Sequence, residues 1–414
     1  MHARTRTLSC LILATGASLL GDAALYTVLP SAYASAGITI AMVGLVLSTN
    51  RLVRLFSNVL VGMASDRIGR RAPFAVGMAL AVISTLAYGV SEGLYPLLAA
   101  RVMWGIAWSL IAVSGHSMVL DLSTDRDRGR LVGIYRGLTF LGGSLGMLFG
   151  GILSDALGFH RTFLLMGITT SVGFIASLGM TETNPKSLVE RRPVKSISFH
   201  KNWLIPWRTA IERLRSLHSG LWIAAVLNLV ERFFIGGVIV STLGLYVSNR
   251  MSTWSTTSHL FVGAASLTGL LLFLRSLISV GSSPAFGLLS DLVKSRFLVI
   301  LLGLLLGAMG YLLLARNTGI LNVIAGILLA ALAEGALATS LAARVGDMAP
   351  KNQRGAAVGL YSTFGDIGAG LAPLSAYSVA SVWGLQPVYA TCALVLLTCL
   401  MIVAWGARTK MLTD

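Results

Sequence analysis

Six arginines and four acids fall inside apolar segments long enough to cross a lipid bilayer. The arginines are Arg51, Arg54, Arg101, Arg136, Arg232 and Arg275, and the acids are Asp22, Glu231, Glu334 and Asp366. An ionisable group at mid-bilayer is costly unless it faces a partner or a water-filled cavity, so each is a functional candidate. Guanidinium forks match carboxylate or phosphate groups. Arg51 and Arg54 are three residues apart and share one helix face. With Arg275 and Arg232 they can line an electropositive site for an organic anion, or they can pair internally with the four acids. Carboxylates supply what arginine cannot, a proton exchangeable near neutral pH. Asp22 and Glu334 have no arginine beside them in sequence, which makes them the first proton-coupling candidates, with Glu231 and Asp366 behind them. Glu231 and Arg232 point about 100° apart on an α-helix and need not pair. Trp108 and Tyr361 are the aromatic residues placed to touch a substrate, although packing explains them equally well.

The elements that must position these groups are membrane helices. Of 414 residues, 55% are hydrophobic and 12% charged, with a mean hydropathy of +0.79; a soluble protein carries about 25% charged residues. Lipid leaves backbone groups no partner outside helices and closed barrels, and these apolar runs are too long for barrel strands. The pattern predicts an all-α integral membrane protein with twelve helices, at 7–34, 40–65, 72–91, 96–121, 129–154, 162–181, 219–247, 260–289, 297–315, 319–345, 355–380 and 387–407. The 45 glycines suit close helix packing. A basic stretch, 182–218, separates six helices (1–181) from six (219–414). Within it Phe199, Trp203, Trp207, Ile211 and Leu214 recur at roughly helical spacing, as in an amphipathic helix lying on a membrane surface.

The net charge of +16 could signal nucleic acid, but most of the Lys and Arg lie in loops on one side of this topology. The positive-inside rule then places both termini in the cytoplasm, and the basicity reflects topology and anionic lipid, with no nucleic acid partner. Arg4, Arg6 and Ala32-Tyr33-Ala34 imitate a secretory signal, but the apolar run is too long and is broken at Gly21-Asp22, so an uncleaved first helix is expected. Cys10, Cys392 and Cys399 form no disulfide or metal pattern, and no cofactor or metal is expected.

The two halves are repeats. GMASDRIGRR (62–71) recurs, degraded, as GLLSDLVKSR (287–296), and Asp121, Arg128, Gly129, Gly133 and Tyr135 align with Asp347, Arg354, Gly355, Gly359 and Tyr361. Gly62, Asp66, Arg67, Gly69, Arg70 and Arg71 fill every fixed position of the loop signature of the major facilitator superfamily, which the chain resembles over essentially its whole length. Arg101 and Gly105 resemble that family's fourth-helix motif. Gly133, Gly142, Gly146, Gly150 and Gly151 match the glycine spacing of its drug/proton antiporter branch, with Met147 where that pattern has proline.

The resemblance implies two six-helix bundles and a secondary transporter, not an enzyme. It implies a cytoplasmic gate at Gly62, Asp66, Arg67, Gly69, Arg70 and Arg71, echoed at Asp291, helix packing through Gly142, Gly146, Gly150 and Gly151, and a role for Arg101 in proton release. No P-loop is present, which argues against direct use of ATP. The leading expectation is a monomer in a bacterial inner membrane that exports a small anionic or amphipathic molecule in exchange for protons. Proton-coupled uptake of an organic anion, such as a carboxylate or siderophore-like chelate, is the alternative. A receptor or scaffold that has lost transport would show lost core charges or added soluble domains, and neither is seen.

Overall fold

A computed structural model describes residues 2–124, 127–183, 217–258, 263–316, 319–349 and 354–408. The amphipathic segment expected between 199 and 214 lies outside them. Twelve long helices are present among the described residues. The first six are α1 (His2–Ala32), α2 (Ile40–Ile68), α3 (Arg71–Val90), α4 (Leu94–Leu122), α5 (Arg128–Leu157) and α6 (Phe159–Leu178). The seventh, α7, begins at Ser219–Val230, passes through a π-helical stretch, Glu231–Val238, and returns to α geometry over Ile239–Ser258. It is followed by α8 (Ala264–Leu292), α9 (Arg296–Arg316), α10 (Ile320–Met348), α11 (Arg354–Trp383) and α12 (Leu385–Arg408). Eleven of these are long and apolar enough to cross a membrane, the exception being α11, which carries Asp366 and many small residues. The structure shows a multi-pass helical membrane protein.

The chain forms two compact units. The first holds α1–α6 together with Val240–Leu274 and Pro373–Ser378; the second holds the remaining parts of α7, α8 and α11 with α9, α10 and α12. In the first unit α1 packs on α5 and α6, and α4 packs on α2 and α3. The α1–α5 seam is a ladder of small residues four apart. A Cβ on Gly142 would stand 2.7 Å from the Gly16 Cα, one on Gly146 would stand 2.7 Å from the Leu20 Cα, and one on Gly150 would press on Ala24. Backbones that approach this closely gain dispersion contacts, which substitute for the hydrophobic drive that lipid does not supply.

The same unit contains the contacts that fasten Val240–Leu274 and Pro373–Ser378 to the first six helices. Gly44 lies against Pro373 and Tyr377, and Gly244 against Pro30 and Thr27. Asp155, near the end of α5, accepts from the backbone N–H groups of Ala265 (3.3 Å) and Ser266 (2.6 Å) in the first turn of α8. A carboxylate there meets orphan donors and the positive end of the helix dipole. In the second unit α9 packs on both α10 and α12.

Candidate functional site

The first unit buries a polar ring on α1, α2 and α4. Arg101 is fully buried and uses all five of its N–H donors. Nε donates to the Val46 carbonyl (3.1 Å) and Nη2 to the Leu47 carbonyl (3.3 Å) and the Tyr26 hydroxyl (3.2 Å). Nη1 donates to Asp22 Oδ1 (2.5 Å) and the Tyr88 hydroxyl (3.4 Å). Asn50 Nδ2 donates to the same Asp22 oxygen (3.3 Å), and the Tyr26 hydroxyl donates to Asn50 Oδ1 (3.3 Å) or the Leu47 carbonyl (3.2 Å). The guanidiniums of Arg101 and Arg51 lie over the Tyr26 ring at 5.4 and 5.8 Å. Arg51 and Arg54 are half-buried on α2. Trp108 stacks on Trp104 at the edge of the α1–α3–α4 core, and Arg136 is exposed.

The second unit gathers Glu231, Arg232, Arg275 and Glu334. Glu231 is fully buried and opens the π-helical stretch. Arg232 Nε lies 3.2 Å from Glu231 Oε2 but off the line a hydrogen bond needs, and among the described residues neither carboxylate oxygen of Glu231 has a hydrogen-bond partner. Arg275 is buried on α8, with Nη2 donating to the Ile235 carbonyl (2.8 Å) and lying 3.1 Å from Glu334 Oε2. The Tyr311 hydroxyl, from α9, donates to the Phe234 carbonyl. A π-helix disturbs the regular backbone ladder, and here two of its carbonyls are taken up by side chains of neighbouring helices. Gly237 lets α11 approach, because a Cβ there would meet the Ala372 side chain and the Arg232 carbonyl. Asp366 is half-buried on α11, and its charge and that of Glu334 act on Arg232. The carbonyl of Tyr361 accepts from Asn228 Nδ2 (2.7 Å), while its side chain packs on the cluster around Leu221 and Leu360.

Spatial neighbours thus differ from sequence neighbours. Asp22 and Glu334, with no arginine beside them in the chain, each face one in space, Arg101 and Arg275. Glu231 and Arg232, which on an α-helix need not pair, come together.

The loop signature binds helix ends within each unit. Glu182, just past α6, accepts from the backbone N–H groups of Arg70 (2.9 Å) and Arg71 (3.1 Å), capping α3. Arg70 Nε lies 3.7 Å from Asp121 at the end of α4, and Arg71 Nη2 donates to the Leu178 carbonyl (2.8 Å). In the second half Arg296 donates to Asp291 (2.8 Å) and Asp347 (3.2 Å). Asp121 and Asp347, aligned in the repeat, each lie near an arginine of the loop signature, but Arg296 aligns with Arg71, one residue on from the Arg70 that lies near Asp121. Gly69 caps α2 at φ +97°. No described atom lies within 4 Å of a Cβ on Gly62. Asp66 and Arg67 lie within α2, but their side chains fall outside the described set.

Sequence reasoning missed Glu182, Asn50 and Tyr311, and with them the π-helical stretch. The Gly236-Gly237 pair just after a buried acid was the available signal for the last.

The sequence matches the family described as Major Facilitator Superfamily over residues 11–269 and again, overlapping, over 221–410. The chain belongs to the major facilitator superfamily. It is a transporter of that family and not an enzyme. An uncharacterized MFS-type transporter of Methanocaldococcus jannaschii is 23% identical over 360 residues, covering 85% of this chain and 86% of that one. The human synaptic vesicular amine transporter is 32% identical over 125 residues, which is 30% of this chain and 24% of that protein. A solved bacterial homologue of the human lysosomal transporter Spinster, inward-facing and occupied, aligns with a TM-score of 0.79 at 15% identity, covering 99% of this chain and 98% of that one. That similarity is one of fold.

Proposed function

We propose that this major facilitator is a proton-coupled antiporter that exports a small anionic or amphipathic organic molecule by alternating access. It would act as a monomer in a bacterial inner membrane with both termini in the cytoplasm. One observation carries the coupling: Glu231 is fully buried, and among the described residues neither of its carboxylate oxygens is hydrogen-bonded. The Arg232 guanidinium 3.2 Å away offsets a charge there without hydrogen-bonding it, and taking up a proton removes the remaining cost of burial. Asp22 is hydrogen-bonded by Arg101 and Asn50, and Glu334 is only partly buried, so Glu231 becomes the principal proton carrier and Arg101 holds Asp22 in place. Arg51 and Arg54, half-buried on one face of α2, receive the acidic group of the substrate. Asp366, Arg232 and Tyr361 border the carrier. The networks of Arg70 and Arg71 and of Asp291 and Arg296 act as cytoplasmic latches.

The test is transport in proteoliposomes under a pH gradient of each sign, with citrate, benzoate, a monoamine and tetraphenylphosphonium as probes. The expected result is gradient-driven accumulation of an acidic or amphipathic probe. Glu231→Gln abolishes that accumulation but leaves counterflow of the same probe. Accumulation in Glu231→Gln equal to the native protein would overturn the assignment.

Proton-coupled uptake of an organic anion is the second reading. It is favoured by Met147, which stands where the antiporter pattern has proline while α5 runs unbroken from Arg128 to Leu157. The sign of the gradient that drives accumulation separates the two.

A further inference from the structure

The Tyr26 hydroxyl is engaged to its full capacity. It has one proton and two lone pairs. The proton goes to Asn50 Oδ1 (3.3 Å) or the Leu47 carbonyl (3.2 Å), and the lone pairs accept from Arg101 Nη2 (3.2 Å) and Arg51 Nε (3.4 Å). The residue is buried, with 5% of its surface exposed, so water does not readily replace a lost partner. Two routes of hydrogen bonds then run from Arg51 to the Asp22 carboxylate. One passes through Tyr26 and Arg101, the other through Tyr26 and Asn50, and both end on the same oxygen, Oδ1. The aromatic face adds to this, since both guanidiniums lie within 6 Å of its centre.

We propose that Tyr26 is a positioning residue that ties the Asp22–Arg101 pair to Arg51, so that a ligand drawing Arg51 away re-orients the hydroxyl and loosens the pair. The consequence for transport rests on the reading above, in which Arg51 meets the substrate. The coupling itself is a property of the protein without ligand. The groups that face Asp22 are few: Arg101 from α4, Tyr88 from α3, Asn50 from α2 and, through Tyr26, Arg51. The helices α5 and α6 turn small residues towards α1 near this level, with Gly146 on Leu20, Gly150 on Ala24 and Gly173 on Ala17.

The experiment uses the full chain, labelled with ¹⁵N-arginine in lipid nanodiscs and without substrate. The Arg51 and Arg101 Nε–H resonances are assigned from their loss in Arg51→Lys and Arg101→Lys. Asp22→Asn is then introduced into the native protein and into Tyr26→Phe, which keeps the ring and removes only the hydroxyl. The expected result is that Asp22→Asn shifts the Arg51 resonance in the native background and leaves it in place in Tyr26→Phe. Equal shifts in both backgrounds, or none in the native one, overturn the proposal. If Tyr26→Phe fails to insert, Tyr26→Leu, which also lacks the hydroxyl, reads the same quantity. This measurement involves neither transport nor a proton gradient. Absence of gradient-driven transport in the native protein would remove the proposed function and leave the Tyr26 result standing.

Discussion

Lys294 occupies the turn position that Gly69 holds in the first half, and both backbones have positive φ, +53° at Lys294 and +97° at Gly69. The repeats thus differ in residue at this position and share a positive φ. Lys294 sits in the left-handed α region, which costs an L-residue about 1–2 kcal/mol. Gly69, with ψ at −179°, is in a region open essentially to glycine alone. Gly69→Ala is therefore expected to destabilise by about 1–3 kcal/mol. Lys294→Gly is expected to stabilise by only ~0.5 kcal/mol, because the freedom glycine gains in the unfolded chain offsets most of the relieved strain. Thermal unfolding of the two variants in matched detergent checks both sign and order.

Glu182 supplies both carboxylate oxygens to the N-terminus of α3. Glu182→Ala is expected to lower stability by about 1 kcal/mol, and Glu182→Gln by less, since the amide keeps one acceptor and loses the charge. Limited proteolysis at Arg70 and Arg71 provides an independent readout, with faster cleavage in the alanine variant.

The α1–α5 ladder has no room at its centre. Gly146→Val would drive a branched side chain into the Leu20 backbone and is expected to cost at least about 1–3 kcal/mol by overpacking. Gly133→Val lies on the same helix with no described atom within 4 Å of its Cβ, and should change stability by less than about 1 kcal/mol, the scale of intrinsic helix preference. Comparison of folded yield and melting temperature for the pair tests whether close approach, and not glycine content, sets the requirement.

Asp127, before the first turn of α5 and outside the spans, accepts from the Thr124 backbone and hydroxyl and from Arg4. The Thr124 N–H first, then Arg4, lower its pKa from 3.8 to about 2. A depressed carboxylate stabilises the fold above its unfolded pKa and loses that contribution as pH falls through the folded value. The difference in melting temperature between the native protein and Asp127→Asn should be constant near neutrality and shrink between pH 3.8 and about 2.

The helices were legible because each apolar run is as long as a bilayer is thick, and the family was legible because the 62–71 loop keeps every fixed residue. The pairing of charges was not. Arg101 reaches Asp22 from another helix, and Arg275 reaches Glu334 in the same way, so adjacency in the chain misjudged which acids have arginine partners. Asn50 escaped notice because it is neutral, and its part in the ring comes from being buried between charged groups. The expectation for Glu231 and Arg232 assumed α-helical phase, and the backbone at that point is not α-helical.

That departure has a geometric consequence along α7. An α-helix advances about 100° per residue, and a π-helical stretch bonds one residue further along and so absorbs surplus chain without breaking the helix. The surplus is carried within Glu231–Val238 and shows itself in the backbone there. The Phe234 and Ile235 carbonyls take the Tyr311 hydroxyl and the Arg275 guanidinium, which makes the stretch a socket into which two neighbouring helices of its own unit plug.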